Sequence, residues 1–180
     1  WYRKTYIIYN FALVEKESQM KKIKTRQELN KIVKKLKETG KIVVHTNGTY
    51  DLLHIGHVKT LQRAKAMGDI LIVSINSDAS VKKFKSKDRP NINQKERAEM
   101  LAALECVDYI TIFSEDNILK TLKMLKPNIQ VKGGTYILER IQAEKKLMES
   151  IGGKFVTLPI IRNRSTTRII QYIISSTLKK

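Results

Sequence analysis

Continuous apolar runs alternate along the chain with longer stretches in which apolar residues recur every three or four positions. The continuous runs are typical of buried strands, and the periodic stretches are typical of amphipathic helices. The runs predict five strands, at 41–44, 70–75, 107–113, 129–132 and 154–158. The periodic stretches predict helices at 25–40, 58–67, 93–104, 114–126, 136–151 and 169–178. Strands that alternate with helices predict an α/β fold with a doubly wound, mainly parallel five-stranded sheet.

Capping residues support three of these helices. Thr25 followed by Glu28 predicts a capping box at the start of the first helix. Asn93 and Ser114 are suited to cap two later helices. The lysine-rich segment 81–90 is predicted to be a basic loop that leaves the ligand-binding edge of the sheet.

The segment 45–57 joins the first strand to the next helix and carries candidate chemistry. Gly48 lies where the chain leaves the strand, and two of the three histidines, His54 and His57, flank Gly56. Side chains three residues apart lie on the same side of a first helical turn, so both imidazoles can point at one anion. Gly56 lets a phosphate approach the backbone, and a helix start offers free N–H groups. The spacing therefore predicts a nucleotide phosphate site.

Polar residues also follow other predicted strands. Asn76 and Asp78 come after the second strand, and Gly133 and Gly134 follow the fourth. Open α/β sheets bind ligands at the carboxyl ends of their strands. The run 165–167, Ser-Thr-Thr, opens the last helix, where hydroxyls and free N–H groups bind phosphate well.

Composition limits the classes of function. The 180 residues suit one domain, and the 42% hydrophobic content is enough for a core. The formal net charge of +18 fits either a nucleic-acid-binding protein or an enzyme with polyanionic substrates. Basic residues are spread along the chain without an aromatic RNA-binding motif, so we do not expect nucleic acid as the main ligand. The single cysteine, Cys106, and the absence of a long apolar run predict a cytoplasmic protein without membrane association.

Residues 1–19 differ from the rest of the chain. They are rich in aromatic residues, begin with Trp1 and are not followed by a signal-peptide cleavage pattern. Met20 then opens a stretch that resembles an ordinary start. We therefore expect an N-terminal extension at 1–19, from upstream sequence or cloning, and one folded domain at 20–180. An added strand or a partner contact is the alternative for the extension.

The segment 46–57 resembles the first motif of the cytidylyltransferase-like nucleotidyltransferases. The same His-Ile-Gly-His sequence occurs in class I aminoacyl-tRNA synthetases. Those enzymes are much longer and carry a Lys-Met-Ser-Lys-Ser loop, which residues 83–87 match poorly. The resemblance thus favours a nucleotidyltransferase domain at 20–180 and implies the Rossmann-like sheet that carries the His-x-Gly-His motif.

Further motifs resemble the adenylyltransferase domain of ADP-heptose synthases, over about residues 22–175. In order, they are 73–80, 89–90, 96–97, 104–109, 131–136 and 165–167. This resemblance implies transfer of AMP from ATP to D-glycero-β-D-manno-heptose 1-phosphate, giving ADP-heptose for lipopolysaccharide and pyrophosphate. It also implies Mg²⁺ bound with the nucleotide phosphates, a homodimer, and a stand-alone enzyme without a sugar-kinase domain. The chain departs from the pattern at His45, where the family usually has phenylalanine, and at Thr135.

The expected mechanism is in-line attack of an acceptor phosphate oxygen on the α-phosphorus of the nucleotide. The residues predicted to be catalytic, as donors to the phosphates, are His54, His57, Lys82 and Lys85. The residues predicted to bind the nucleotide are Thr46, Asn47, Gly48, Asp51, Gly56, Arg97, Lys132, Gly133, Ser165, Thr166 and Thr167. The residues predicted to bind the acceptor are Asn76, Asp78, Arg89, Gly134 and Tyr136, and no protein ligand to a metal is predicted.

Three alternatives stay open at this point. The His-x-Gly-His and Ser-Thr-Thr motifs are shared with CTP-dependent glycerol-3-phosphate cytidylyltransferases. An FMN adenylyltransferase is a second alternative, although residues 131–134 fit it less well. The third is a basic nucleic-acid-binding module without catalysis, which would bind with a steep salt dependence.

Overall fold

Five parallel strands form one sheet in the computed structural model, which describes residues 20–133, 138–159 and 165–177. The strands are β1 Val43–Gly48, β2 Ile70–Asn76, β3 Tyr109–Phe113, β4 Ile129–Gly133 and β5 Lys154–Leu158. Their order is β3-β2-β1-β4-β5, and every neighbouring pair is parallel. This confirms the predicted doubly wound α/β fold.

Seven helices lie within the described ranges, one before β1 and the others between or after the strands. They are α1 Arg26–Glu38, α2 Ile55–Lys65, α3 Asp78–Phe84, α4 Gln94–Ala102, α5 Leu119–Leu125, α6 Leu138–Ser150 and α7 Thr166–Thr177. None of the helices in the described part of the chain is long and apolar enough to cross a membrane.

Apolar side chains cover both faces of the sheet. Adjacent residues of a strand point to opposite faces, so Val44 packs with Leu61 of α2 while Val43 packs with Leu29 of α1. A third cluster around Leu122 joins α5 to α6. Because both faces are buried, the strands read in the sequence as continuous apolar runs rather than as alternating ones.

The strand order fixes where a ligand can bind. The chain proceeds from β1 outward to β3 on one side and then returns to place β4 on the other side of β1. Sheets of this kind open a crevice at the carboxyl ends of the strands where the order reverses. Here that point is the β1–β4 pair, directly beside the segment 45–57.

Helix boundaries differ from the predictions in four places. Ser77 caps α3, so the first part of the predicted basic loop is helical. Ser114 does not cap α5, which begins at Leu119 without a side-chain cap. Helices α2 and α7 each begin three residues before the predicted start. Their first turns contain polar and small residues, which carry no apolar periodicity and therefore escape a pattern-based assignment.

Other local predictions are confirmed. Thr25 and Glu28 form the capping box of α1, and Asn93 caps α4 by accepting from the Glu96 N–H. Cys106 is half-buried, and burial raises the pKa of its thiol. The predicted extension at 1–19 lies outside the described residues.

Candidate active site

A cleft of about 630 Å³ opens at the carboxyl ends of the strands. Most of the residues that the sequence predicts for the site line it. They are Thr46, Asn47, Gly48, Asp51, His54, Gly56, His57, Asn76, Lys85, Lys132, Gly133, Ser165, Thr166 and Thr167. The fold therefore brings together motifs that are more than 100 residues apart in the sequence.

The two histidines stand at the start of α2. His54 is the N-cap residue, and its ring stacks on that of His57 with centroids 3.7 Å apart and an interplanar angle of 18°. The ring of Tyr50 meets His57 edge-on at 5.1 Å. The i, i+3 spacing thus places both imidazoles on one side of the first turn, as predicted.

Both imidazoles are neutral at pH 7. Burial lowers the pKa of His54. Burial, followed by repulsion from His54 and Lys85, lowers the pKa of His57 to about 4. A neutral imidazole presents one N–H donor and one acceptor, so the pair can donate to a phosphate without a counter-ion of its own. An arriving anion would favour the protonated form.

One ring atom of this pair lacks a partner. Nδ1 of His57 is buried and makes no hydrogen bond within the described residues. Buried polar atoms without a partner are rare, and each calls for an explanation. The explanation we favour is that the imidazole of His57 is held in place for a ligand rather than for packing.

Asp51 organises the turn that follows β1. Its buried carboxylate accepts from Arg89 Nε at 2.6 Å, from the Asn91 N–H at 2.8 Å and from the Ile92 N–H at 3.1 Å. Asp51, which the sequence predicts to bind the nucleotide, lines the cleft and also holds this turn together through these contacts. The structure pairs the guanidinium of Arg89 with Asp51 and does not bring it to the lining of the cleft, so its predicted contact with the acceptor stays a prediction.

Arg97 also has a different place from the predicted one. Its side chain is fully buried, and its donors bind the carbonyls of Thr49, Ile92 and Asn76 and the carboxylate of Asp78. Neither Arg97 nor Asp78 lines the cleft. In this structure the pair ties the ends of β1 and β2 to α4, and the predicted ligand contacts of Arg97 and Asp78 stay predictions.

The basic segment contributes one lysine to the cleft. Lys85 lines it, whereas Lys82 lies on the exposed surface of α3 and does not. Partial burial, followed by repulsion from Arg89, lowers the pKa of Lys85. The predicted catalytic pair of lysines is thus reduced to Lys85.

Lys132 reaches the cleft from β4. Its Nζ lies 2.7 Å from Glu144 Oε1 and 3.2 Å from Asn47 Oδ1. Gly133 follows it, and a Cβ there would meet Thr60 Cγ2 at 2.5 Å. Glycine at this position lets α2 lie against the end of β4, so its role includes packing as well as access for a ligand.

The start of α7 closes another side of the cleft. Ser165 Oγ accepts from the Arg168 N–H at 3.3 Å, which confirms Ser165 as the cap. Thr166 Oγ1 donates to the Leu52 carbonyl at 3.3 Å and so attaches α7 to the turn that carries His54. Two helix N-termini therefore border one cleft, and each can offer backbone N–H groups and a positive helix end to a phosphate.

Several cleft residues were not predicted. Phe84 and Arg140 lie across the opening, with the guanidinium carbon 5.9 Å from the ring centroid. Asp116 and Asn117 line the cleft from the loop after β3, which the sequence reading assigned to a helix. Glu144 faces it from α6. The predicted acceptor residues Gly134 and Tyr136 lie outside the described residues.

Comparison with known proteins adds independent information. The family model described as cytidylyltransferase-like matches residues 45–172. Among curated proteins, the bifunctional protein HldE of Geotalea uraniireducens is 47% identical over 159 residues, which are 88% of this chain and 32% of that protein. The bifunctional protein HldE of Geobacter metallireducens is 48% identical over 153 residues, 85% of this chain and 31% of that protein. The chain spans about a third of the length of these relatives.

Solved structures share the fold. The lipopolysaccharide core biosynthesis protein of Thermoplasma volcanium matches with a TM-score of 0.56 and 24% identity, over 69% of this chain and 100% of that chain. Pantoate-beta-alanine ligase of Francisella tularensis matches with a TM-score of 0.58 and 21% identity, over 88% of this chain and 79% of that chain. At these identities the two structures support the Rossmann-like architecture alone.

Proposed function

The chain belongs to the cytidylyltransferase-like family, and we propose that it transfers AMP from ATP to D-glycero-β-D-manno-heptose 1-phosphate, giving ADP-heptose and pyrophosphate. The observation that carries a nucleotidyl transfer is the stacked pair His54 and His57 at the start of α2, facing the hydroxyls of Ser165–Thr167 across one cleft. The choice of ATP and heptose phosphate follows the sequence motifs, and relatives named bifunctional protein HldE, at 44–48% identity, support it.

The mechanism needs no covalent intermediate with the protein. The acceptor phosphate oxygen attacks the α-phosphorus while the bond to pyrophosphate breaks on the opposite side. His54, His57 and Lys85 donate to the oxygens where charge develops, and the start of α7 binds the leaving pyrophosphate. Catalysis of this kind rests on positioning and on fixed donors aimed at the transition state.

Mg²⁺ would enter with the nucleotide. Among the described residues no three histidine, cysteine or carboxylate side chains lie together as ligands to an ion. In nucleotide sites Mg²⁺ takes most of its ligands from phosphates and water, so the triphosphate would hold the ion. When bound, the ion would neutralise charge on the phosphates.

We place the acceptor in the half of the cleft above β2 and β3. Lys132 and Gly133 lie above β4 and leave the opposite half, bordered by Phe84, Asp116 and Asn117, for the second substrate. Asp116 is exposed there and makes no ion pair within the described residues. A carboxylate beside an aromatic ring suits the hydroxyls and carbon skeleton of a sugar.

This placement predicts a separable effect on the two substrates. Asp116→Asn should raise KM for heptose 1-phosphate by about tenfold and leave KM for ATP within about twofold, because it removes a strong acceptor for sugar hydroxyls. Glu105→Gln, an exposed carboxylate before β3, is the matched control. Equal changes in both KM values would contradict the acceptor assignment.

A second prediction concerns protons. Phosphate beside His57 favours its protonated form, so its pKa should rise from about 4 when ATP binds. Between the free and bound pKa values the protein takes up a proton, and ATP affinity should therefore increase as the pH falls through that range. Titration calorimetry in two buffers measures this uptake. ATP itself also takes up protons, so the proton uptake of His57 is the difference between the uptake measured with wild type and that measured with His57→Ala. Equal uptake by the two proteins would refute the contact between His57 and the phosphate.

Pyrophosphate release tests the substrates. The full chain with Mg²⁺ is assayed with ATP and CTP, each against heptose 1-phosphate, glycerol 3-phosphate and FMN. Release with ATP and heptose 1-phosphate alone is expected. Release with CTP and glycerol 3-phosphate, or with ATP and FMN, would retain nucleotidyl transfer and replace the substrates.

We also propose that the enzyme is a homodimer, as the sequence resemblance implies. Helix α7 exposes Tyr172, Ile173 and Ile174, an apolar surface that is compatible with subunit contact. Light scattering that gives the mass of one chain would reject the dimer without affecting the chemistry.

A further inference from the structure

A buried row of three polar side chains crosses the middle of the sheet. It consists of Ser74 on β2, His45 on β1 and Gln130 on β4, all fully buried, and we call it the polar row. His45 Nε2 lies 2.7 Å from Ser74 Oγ, and His45 Nδ1 lies 2.5 Å from Gln130 Oε1. Buried polar groups cost free energy unless they are hydrogen-bonded, and a fully paired network holds its members in one arrangement, so the row is suited to fixing the orientation of its neighbours.

Hydrogen bonding fixes the orientation of every group in the row. Gln130 Nε2 donates to Glu144 Oε2 at 3.0 Å and to Asn47 Oδ1 at 3.1 Å. Because a carboxylate only accepts, the amide nitrogen must face Glu144 and the amide oxygen must face His45. Nδ1 of His45 therefore carries the hydrogen, and Nε2 accepts from Ser74. Burial lowers the pKa of His45 to about 4, so the ring is neutral at pH 7, as this pattern requires.

The next polar residues toward the cleft depend on this arrangement. Asn47 and Lys132 lie two residues beyond His45 and Gln130 on the same strands, and hence on the same face of the sheet. Asn47 Oδ1 accepts from both Gln130 Nε2 and Lys132 Nζ. Its Nδ2 has no partner within the described residues and is left as a donor for a ligand. Glu144 binds both Gln130 and Lys132 and so couples the two levels.

We propose that His45 is a positioning residue for the nucleotide: through the Gln130 carboxamide it holds Asn47 and Lys132 in their binding orientation. The inference rests on the proposed function, in which Asn47 and Lys132 contact the nucleotide. Without the Nδ1 donor, the Gln130 carboxamide loses the partner of its oxygen and is free to turn. Its nitrogen would then no longer bind Asn47 and Glu144 together.

Two variants of similar polarity separate positioning from packing. The carboxamide nitrogen of asparagine lies close to the place of histidine Nδ1, whereas that of glutamine lies closer to Nε2. His45→Asn should therefore keep the donor to Gln130 and bind ATP within about threefold of wild type. His45→Gln and His45→Phe should bind ATP about tenfold more weakly, because the Gln130 oxygen is left unpaired. Titration calorimetry with ATP and Mg²⁺ on the full chain measures the affinities, and thermal unfolding measures stability.

Each outcome has a defined meaning. A purely structural role would lower the stability of the Asn and Gln variants alike and leave their ATP affinities equal, which would overturn the inference. Absence of ATP binding by wild type would overturn the proposed function and the inference together. Nitrogen-15 labelling of the three histidines gives a test that does not depend on any variant. The inference requires the Nδ1–H form of His45 at pH 7, and the Nε2–H form would refute it.

Discussion

Replacing His57 with alanine should slow pyrophosphate release by about 10²–10³-fold, the usual cost of removing one donor aimed at a transition state. The ring is held at the start of α2 by stacking on His54 and by the edge contact with Tyr50. Burial and its neighbours keep it neutral before the substrate binds. Alanine removes the imidazole donor. Among the described residues, none of the side chains that contact His57 lies where it could donate in place of the lost imidazole.

The measurement is steady-state pyrophosphate release with saturating ATP and acceptor. Lys59→Ala is the matched control, since Lys59 lies on the same helix, is exposed and does not line the cleft. The control should retain the wild-type rate. Thermal unfolding of both variants distinguishes lost chemistry from lost structure. A His57→Ala protein with undiminished release would remove the histidine pair from the mechanism.

The second large effect is on stability. Arg97→Leu should lower the free energy of unfolding by about 3–5 kcal/mol, the cost of breaking a buried charged network by removing one member. The change leaves the carbonyls of Thr49 and Asn76 without their donor and Asp78 without its ion pair. These atoms lie at the ends of β1 and β2, so the cleft should lose order as well.

Urea unfolding followed by circular dichroism measures this change. Lys95→Leu is the control, because Lys95 is an exposed basic residue on the same helix. It should change stability by less than about 0.5 kcal/mol. A similar stability for wild type and Arg97→Leu would show that Arg97 does not hold the strand ends, and direct contact with the nucleotide would again be the better explanation.

The sequence predicts the architecture well because burial on both faces of a parallel sheet leaves a clear record. Strand β2 reads as a nearly continuous apolar run, and helix α1, which covers β1, shows a helical period. The starts of helices α2 and α7 were missed because residues that line the cleft stand there in place of the apolar residues of a periodic pattern. The first turns of α2 and α7 contain Gly56, His57 and Thr166, which serve the cleft rather than the core.

The site was predicted where a motif is local in sequence and missed where partners come from distant strands. His54 and His57 could be found from their spacing alone. The supporting contacts of Arg89 and Arg97 could not be predicted, because their partners Asp51 and Asp78 lie 38 and 19 residues away. A basic residue near a phosphate motif can contact the ligand, or it can support the loop that contacts the ligand. Only the fold distinguishes these two roles.

The polar row illustrates the same limit. In the sequence, His45 stands out only as a departure from the family pattern. Its partner Gln130 lies 85 residues further along the chain. No periodicity connects them. Their pairing appears only once β4 is placed beside β1.

The most direct test of the account is to identify the product by mass spectrometry after incubating the full chain with ATP, heptose 1-phosphate and Mg²⁺. The account predicts a single sugar nucleotide in which AMP is joined to the sugar phosphate, with one pyrophosphate formed for each molecule. AMP and pyrophosphate without a sugar nucleotide, or unreacted ATP at enzyme concentrations that bind it, would contradict nucleotidyl transfer to this acceptor.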